Sequence, residues 1–468
     1  MDLTKIKSIY FVGIKGVAMT ALAILVKEMG ISVTGSDIAE EFPTDATLKR
    51  FNIKYFIGFD PIHIKYKPDL VIYTGAHQGR KNIEVQTSIK IGIPILSHGE
   101  ALGFFMKEKF QICVAGSHGK TTTSAMIAFS LIQLNEDPSF AIGCGEILGL
   151  HTSGHFGKSK YFVAEADEYI TDPTGDRTPR FLWQTPQILV ITNIDFDHPD
   201  AYKDITQVQE AFIHLTKKVT QGGHIIINLD DHASQEIINQ ISVPVVTYGM
   251  SKQANYQTKN IHFENNLTKF EVWQNNQKLS DFNIKAVGAH NAMNATSVIV
   301  ALKLLGFSVE NIKKVLALFS GTKRRFEYIG QKNDKLLYDD YAHHPTEIKA
   351  TLKGIREFFP NKRIVVIFQP HTYSRTAKLL EEFGRSFNFA DTVIITDIYV
   401  SAREKPILGI SGKLLTDIVK KQNKQTVFIP NEELVLKYLS QETRANDLIL
   451  TMGAGDIYSW IPKILNIL

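Results

Sequence analysis

Short apolar runs alternate with amphipathic helical patterns along this chain of 468 residues, and that alternation admits few folds. "SIYFVGI" reads as a strand, "MTALAILVKEM" as a helix, and "SVTGSD" and "DLVIYTGA" as further strands. A second series begins at "FQICVAGSHGKTTT" and runs through "KYFVAEADE", "ILVITNIDFDH" and "HIIINLDD" to a helix from about Asn291 to Leu305. A third starts near "GTKRRFEYIG" and holds "RIVVIFQP", "DTVIITDIY" and "DLILTMGAGD". Strands separated by helices call for parallel sheets covered by crossover helices, so the expected fold class is α/β. Three such units fit the length, over residues 1–107, 108–320 and 321–468. The polar stretch from Ser251 to Gly288 alternates and ends in turn-forming residues, which predicts antiparallel strands added to the middle unit.

Composition excludes several classes of function. The 52 basic and 48 acidic residues are scattered, without the basic stripe of a nucleic-acid binder, so no nucleic-acid surface is expected. Cys113 and Cys144 lie in apolar or glycine-rich surroundings without metal-ligand spacing and read as buried free thiols. The first apolar run breaks at Gly13 with no cleavage-site pattern, and nowhere do about 18 apolar residues run together. A cytoplasmic protein without membrane insertion is expected.

Two glycine-bearing turns follow strands. In "VAGSHGKTTT" the strand is followed by Gly116, Ser117, His118, Gly119, Lys120, Thr121 and Thr122, and then by a helical pattern. Glycines there let backbone N–H groups point inward at phosphate oxygens, with the helix N-terminus behind them. Lys120 is placed to reach β and γ phosphates, and the Thr121 hydroxyl to bind Mg²⁺. The match is to G-x-x-G-K-T, shorter than the usual spacing. The bland alternative is a βα turn with a solvated lysine.

Acidic groups follow the next two strands: Glu165, Asp167 and Glu168 in "EADE", and Asp195, Asp197 and His198 in "NIDFDH". In a parallel sheet the carboxyl ends line one crevice, so these groups face the loop at Gly116 and suit a hard cation. Any one of them alone is more often a helix cap or surface charge, and it is two acidic clusters at two strand ends that favour a site. "GAHNAMNA" puts His290, Asn291 and Asn294 at a helix start, where an amide either caps the helix or reads a base edge. "GTKRRFEYIG" supplies Lys323, Arg324 and Arg325, cations able to neutralise a transferring phosphate. "YDDYAHHP" concentrates Asp339, Asp340, Tyr341, His343 and His344 in one turn.

In this order "GSHGKTTT", "EADE", "NIDFDH", "GAHNAMNA", "GTKRRFE" and "YDDYAHHPTEI" resemble the Mur ligases of peptidoglycan synthesis, and the likeness covers nearly the whole chain. "FVGIKGVAMTALA", "GSD", "FQPHTYSRT" and "TMGAGD" are similar to the members that add alanine. The resemblance implies an N-terminal Rossmann-like domain for a UDP-sugar, a central P-loop ATPase domain and a C-terminal Rossmann-like domain for the amino acid. It implies ATP and Mg²⁺ as cofactors, UDP-N-acetylmuramate and L-alanine as substrates, and an acyl-phosphate route to the amide. Oligomeric state is expected to be a monomer or weak homodimer.

Residue by residue, the resemblance puts Gly13, Gly16, Asp37 and Thr74 on the UDP-sugar. The loop 116–122, with Lys120 and Thr121, takes ATP; Asn291 and Asn294 take adenine, Arg325 phosphate and Asp340 the nucleotide. Glu165 and His198 each bind a Mg²⁺, and Tyr341, His343, His371 and Arg375 surround the muramoyl carboxylate and the incoming alanine. Lys120, Glu165, His198 and Arg325 are the implied catalytic set.

Three departures from the family pattern stand out. Lys15 and Ala18 replace glycines of the opening loop, and Lys15 is expected to add positive charge beside the diphosphate. Thr372 stands where many relatives carry arginine. The segment "YITDPTGDRTPRFLWQTP" is long for an alanine-adding member and resembles the murein tripeptide ligases, whereas "FQPHTYSRT" and "AREKPILGISG" resemble the alanine-adding ones. A tripeptide donor therefore stays open, and a nicotinamide-dependent oxidoreductase is the more distant alternative.

Overall fold

The computed structural model describes residues 2–400 and 405–468, so residues 402–404 of "AREKPILGISG" lie outside the described residues. Three sheets follow one another along the chain. The first holds β1 (Ser8–Val12), β2 (Ser32–Asp37), β3 (Lys54–Ile57), β4 (Leu70–Tyr73) and β5 (Ile95–Ser97), in the order 3-2-1-4-5 and parallel throughout. Ile9 to Val12 are buried, as expected of a central strand covered on both faces. The helix Val17–Glu28 buries residues 19–26 without a break because it is covered on one side by the first sheet and on the other by the second unit.

The second sheet comprises β6 (Phe110–Ala115), β7 (Ser139–Ala141), β8 (Gly154–His155), β9 (Tyr161–Ala166), β10 (Ile188–Ile191), β11 (His224–Asn228), β12 (Val245–Gly249), β13 (Tyr256–Glu264), β14 (Leu267–Gln274) and β15 (Gln277–Ile284). Its order is 15-14-13-12-11-10-6-9-7-8. The last three strands in sequence form an antiparallel meander, β14 pairing with β13 and with β15, as the alternating polar stretch predicts. β6 lies between β9 and β10, parallel to both. The chain leaves β6 toward one side and later returns on the other, which opens a crevice at the carboxyl end of β6.

The third sheet contains β16 (Glu327–Lys332), β17 (Lys335–Asp340), β18 (Arg363–Phe368), β19 (Thr392–Ile395), β20 (Thr426–Phe428) and β21 (Asp447–Met452), ordered 16-17-21-18-19-20. Only β16 runs antiparallel to its neighbour.

The packing of the three units is unequal. One apolar cluster runs from Ile9, Leu22 and Met106 of the first unit into Ala115, Phe162 and Leu189 of the second. Where they meet, a Cβ on Gly154 would overlap the Ala21 carbonyl. The third unit instead has apolar clusters of its own around Ile355 and Phe368 on one face and Ile367 and Ile449 on the other. Its prominent contacts with the second unit are polar, as in domain interfaces that open and close.

Candidate active site

At the carboxyl end of β6 the chain turns through Gly116 (φ +139°) and Gly119 (φ +82°) into the helix Lys120–Gln133. Both positions demand glycine, since a Cβ on Gly116 would overlap the Thr192 hydroxyl and one on Gly119 would lie 2.8 Å from Asn294 Oδ1. Residues after β10 hold the loop from behind. Asn193 Oδ1 accepts from His118 N at 2.9 Å, Asn193 Nδ2 donates to His118 O at 2.9 Å, and Ser117 Oγ donates to Asp195 O at 3.0 Å. The loop is therefore pre-shaped, with its helix N-terminus facing the crevice.

Lys120 occupies the first helical position. Its Nζ donates to Glu168 Oε2 at 2.8 Å and lies within 3.2 Å of the Ser117 carbonyl. Burial opposes its charge, but Glu168 and Asp167 more than offset this and raise its pKa. Glu165 sits within β9, where Oε1 accepts from Gly143 N at 2.9 Å and the carboxylate engages the Thr121 hydroxyl. Burial raises its pKa against the pull of Lys120 and Arg325. His198, in left-handed backbone (φ +59°), forms a group with Asp167 and Glu168 whose donor atoms all lie within 4.8 Å. Glu165 is not part of that group. Several carboxylates thus crowd one lysine, a donor set of hard oxygens and one imidazole that fits Mg²⁺.

A cavity of about 660 Å³ opens beside the loop, lined among others by His118, Gly119, Asn291, Asn294, Arg325 and Asp340. The helix Ala289–Leu304 is capped by Gly288 without any side-chain bond, so neither asparagine is its cap. Asn291 Nδ2 instead donates to Val287 O at 2.8 Å, and Asn294 Nδ2 to Asn291 Oδ1 at 3.2 Å, leaving Asn294 against Gly119. Arg325 Nη1 stands 3.6 Å from Glu347 Oε1.

Across the cavity the third unit meets the loop through charges. His118 Nε2 is 3.1 Å from Asp195 Oδ2 and its Nδ1 is 3.4 Å from Glu347 Oε1. Burial disfavours the imidazolium, but these two carboxylates lift its pKa to about 10. Thr346 Oγ1 donates to Asp195 Oδ2 at 2.7 Å. Arg375 donates through Nε (3.1 Å) and Nη2 (2.9 Å) to Asp197 Oδ1, with both side chains buried. Burial works against Asp197, yet Arg375 holds it well below the usual carboxylate range. Tyr341, His343 and His371 line the same side: the Tyr341 and His343 rings are 5.2 Å apart, and those of His343 and His371 6.1 Å. Burial, reinforced by Arg375, pushes His343 down to about 3 and keeps it neutral.

Family models cover nearly the whole chain. The one described as Mur ligase family, catalytic domain matches residues 8–110; the Mur ligase middle domain matches 114–302; and the Mur ligase, glutamate ligase domain matches 324–455. The chain belongs to the Mur ligase family. A curated relative from Desulfitobacterium hafniense (strain Y51), the UDP-N-acetylmuramate--L-alanine ligase, is 40% identical over 451 residues, covering 96% of this chain and 97% of the relative. Among solved structures, UDP-N-acetylmuramate-alanine ligase from Thermotoga maritima is 29% identical with a TM-score of 0.81, covering 98% of each chain. A murein peptide ligase from Psychrobacter arcticus 273-4 is 25% identical with a TM-score of 0.74, again over 98% of each.

In this Mur ligase the first unit's glycine turn differs from expectation at Lys15. Its side chain is 2% exposed, with Nζ 3.0 Å from Ile38 O and 3.4 Å from Asp45 Oδ1. The end of β2 turns back beneath the loop and presents carbonyls to the ammonium, so Lys15 braces the turn and does not supply charge to its mouth. Gly13 (φ +82°), Thr74, His77 and Asp37 do converge: the Thr74 side chain packs on Gly13, and His77 Nε2 lies 3.4 Å from Asp37 Oδ1. Gly16 caps the helix Val17–Glu28. Thr372, in left-handed backbone (φ +73°), caps Tyr373–Lys378 through Arg375 N.

Residues without an assigned role in the sequence also belong here. Glu347 reaches His118, Arg325 and His343. The pattern "HPTE", a capping box closed by His344, marks its position but not its partners.

Asp340 carries a pH prediction. Its oxygens accept from Phe326 N (2.8 Å) and Ala342 N (2.7 Å), but burial dominates and pushes its pKa up to about 7. Between about pH 4 and 7 the folded chain holds a proton that the unfolded chain releases, so stability falls as pH rises through that window. Asp340→Asn should remove this fall, which amounts to about 4 kcal/mol at most. Melting temperature followed from pH 5 to 8 in both proteins measures the difference.

Proposed function

We propose that this Mur ligase joins L-alanine to the carboxylate of UDP-N-acetylmuramate with ATP as phosphoryl donor, in the cytoplasmic synthesis of peptidoglycan precursor. The observation that carries this reading is the setting of Lys120: it heads a pre-shaped phosphate-type loop, among carboxylates in and just after β9, beside a cavity closed by Arg325 and Asp340 of the third unit. The names of its similar relatives agree, and the alanine-adding structure is the better match of the two above in both identity and TM-score.

A carboxylate is a poor acyl donor. Its oxygen attacks the γ-phosphorus of ATP, the bond to the β-bridging oxygen breaks, and ADP leaves an acyl phosphate. The alanine nitrogen, as the free amine, then adds to the acyl carbon, and the tetrahedral adduct expels phosphate and loses one N–H proton to give the amide. Both partners of the first step are anions, so positive charge must be in place beforehand; Lys120 and Arg325 supply it from this chain. Thr121 and Glu165 would hold one Mg²⁺ and His198 a second, and the bound ions would neutralise further phosphate charge.

The remaining assignments follow the same division. Gly13, Gly16, Asp37 and Thr74 hold the UDP-sugar in unit 1–107, and loop 116–122 with Asn291, Asn294, Arg325 and Asp340 holds ATP in and beside unit 108–320. Tyr341, His343, His371 and Arg375 orient the amino acid and muramoyl carboxylate from unit 321–468. Closure of that unit, in a protein that acts as a monomer or weak homodimer, excludes water from the acyl phosphate.

The test supplies ATP, Mg²⁺ and UDP-N-acetylmuramate with L-alanine, glycine, L-serine or the tripeptide L-alanyl-D-glutamyl-diaminopimelate, and scores products by mass. A product one alanyl residue heavier, with ADP and phosphate in equal amounts, is expected. Product from the tripeptide alone would overturn the alanine assignment.

A further inference from the structure

We propose that the hairpin at residues 170–179, on the second unit, holds the first unit's sugar-nucleotide turn in its binding shape, with Asp172 as the positioning residue. The proposal rests on the reading of Gly13, Asp37 and Thr74 as UDP-sugar contacts.

The turn at 74–80 carries unusual backbone strain. His77, Gln78 and Gly79 have φ of +51°, +69° and +51° in succession. Left-handed backbone is unfavourable for a residue with a Cβ, and a run of it persists only where surrounding structure enforces it. The enforcing group comes from the other unit. Asp172 is 1% exposed, and its Oδ2 accepts from Arg80 N at 2.7 Å, directly after the left-handed run. Its Oδ1 accepts from Thr174 N at 2.8 Å, and Thr174 Oγ1 lies 3.2 Å from Gln78 O. No side chain fits between the two segments: a Cβ on Gly79 would overlap the Asp172 carboxylate, and one on Gly75 would lie 2.6 Å from Thr171 O.

The hairpin is itself rigid. Thr171 N donates to Thr178 O and Asp172 N to Asp176 O, each at 2.8 Å, and Trp183 Nε1 donates to Thr171 Oγ1 at 3.1 Å. Its base is fixed where Arg180 Nη1 donates to Asp167 Oδ2 at 2.9 Å. At the other end of the turn, Thr74 packs on Gly13 and His77 approaches Asp37, whose Oδ2 accepts from Lys15 N at 2.7 Å. Asp172 thus fixes the shape of a surface that it does not form. The long segment after Glu168 is a strut between the two nucleotide-type turns, and its length reflects that span.

The full-length enzyme and its Asp172→Ala, Gly79→Ala and double variants are titrated calorimetrically with UDP, UDP-N-acetylmuramate and ATP. Asp172→Ala is expected to weaken UDP and UDP-sugar binding about tenfold, the loss of one charge-assisted hydrogen bond, while ATP affinity stays within about twofold. Gly79→Ala should do the same through its collision with the carboxylate, and the double variant should lose less affinity than the two single losses combined, because the collision is gone and only the cost of a Cβ in left-handed backbone is added. UDP binding unchanged in both single variants would overturn the proposal, as would equal losses for UDP and ATP. Failure of the wild-type protein to bind UDP would instead remove the first-unit assignment, and the proposal with it.

Discussion

Lys120→Ala is expected to lower kcat by a factor of roughly 100–1,000, the cost of removing one donor that stabilises transition-state charge, while the affinity for UDP-N-acetylmuramate changes less than about twofold. In the structure the ammonium is parked on Glu168, which is itself 2% exposed at the side chain, and on loop carbonyls. Bound phosphates offer it a competing set of negative charges at the same loop. The substitution also strands a buried carboxylate, a defect worth about 3–5 kcal/mol in its own right. The double variant Lys120→Ala/Glu168→Gln separates the two effects: it should regain melting temperature but not turnover. Recovery of turnover in the double variant would mean that the lysine acts only as the partner of Glu168.

Asp197→Ala is expected to release the third unit. Its partner Arg375 loses both hydrogen bonds to Asp197, keeps only that from Nη1 to His371 O, and is left as a buried cation without its carboxylate, again about 3–5 kcal/mol. The penalty falls on the contact between units, since the third unit keeps its own apolar clusters. Small-angle scattering of the ligand-free variant should therefore show a larger radius of gyration than the wild type, with cooperative melting retained. Turnover should fall at least tenfold, because Arg375 no longer arrives in register with the site. An unchanged scattering profile would place the restraint elsewhere, on Thr346–Asp195 or Glu347–His118.

The parts of the site that the sequence disclosed are those built by neighbours in the chain. A strand, two glycines, a lysine and a helix fix the loop at Gly116 locally, and parallel topology alone brings Glu165, Asp167 and Asp195 to one crevice. Contacts between units were not legible, since nothing in "NIDFDH" or "HTYSR" says that Asp197 meets Arg375, nor in "DPTG" that Asp172 caps Arg80. Lys15 shows the same limit at short range. Its place in the loop suggested a diphosphate partner, but the direction of its side chain is set by carbonyls at residues 38 and 40, beyond a whole helix and strand. The asparagines at 291 and 294 were ambiguous between cap and ligand because the choice depends on Gly288 having taken the cap position.

The central claim is that a sugar carboxylate is activated as an acyl phosphate at the loop headed by Lys120. Its most direct test uses UDP-N-acetylmuramate labelled with ¹⁸O in both carboxylate oxygens, turned over with ATP and L-alanine, with the released phosphate analysed by mass. Phosphate carrying one ¹⁸O atom is the predicted result, since the attacking oxygen leaves with phosphorus. Unlabelled phosphate would contradict the account.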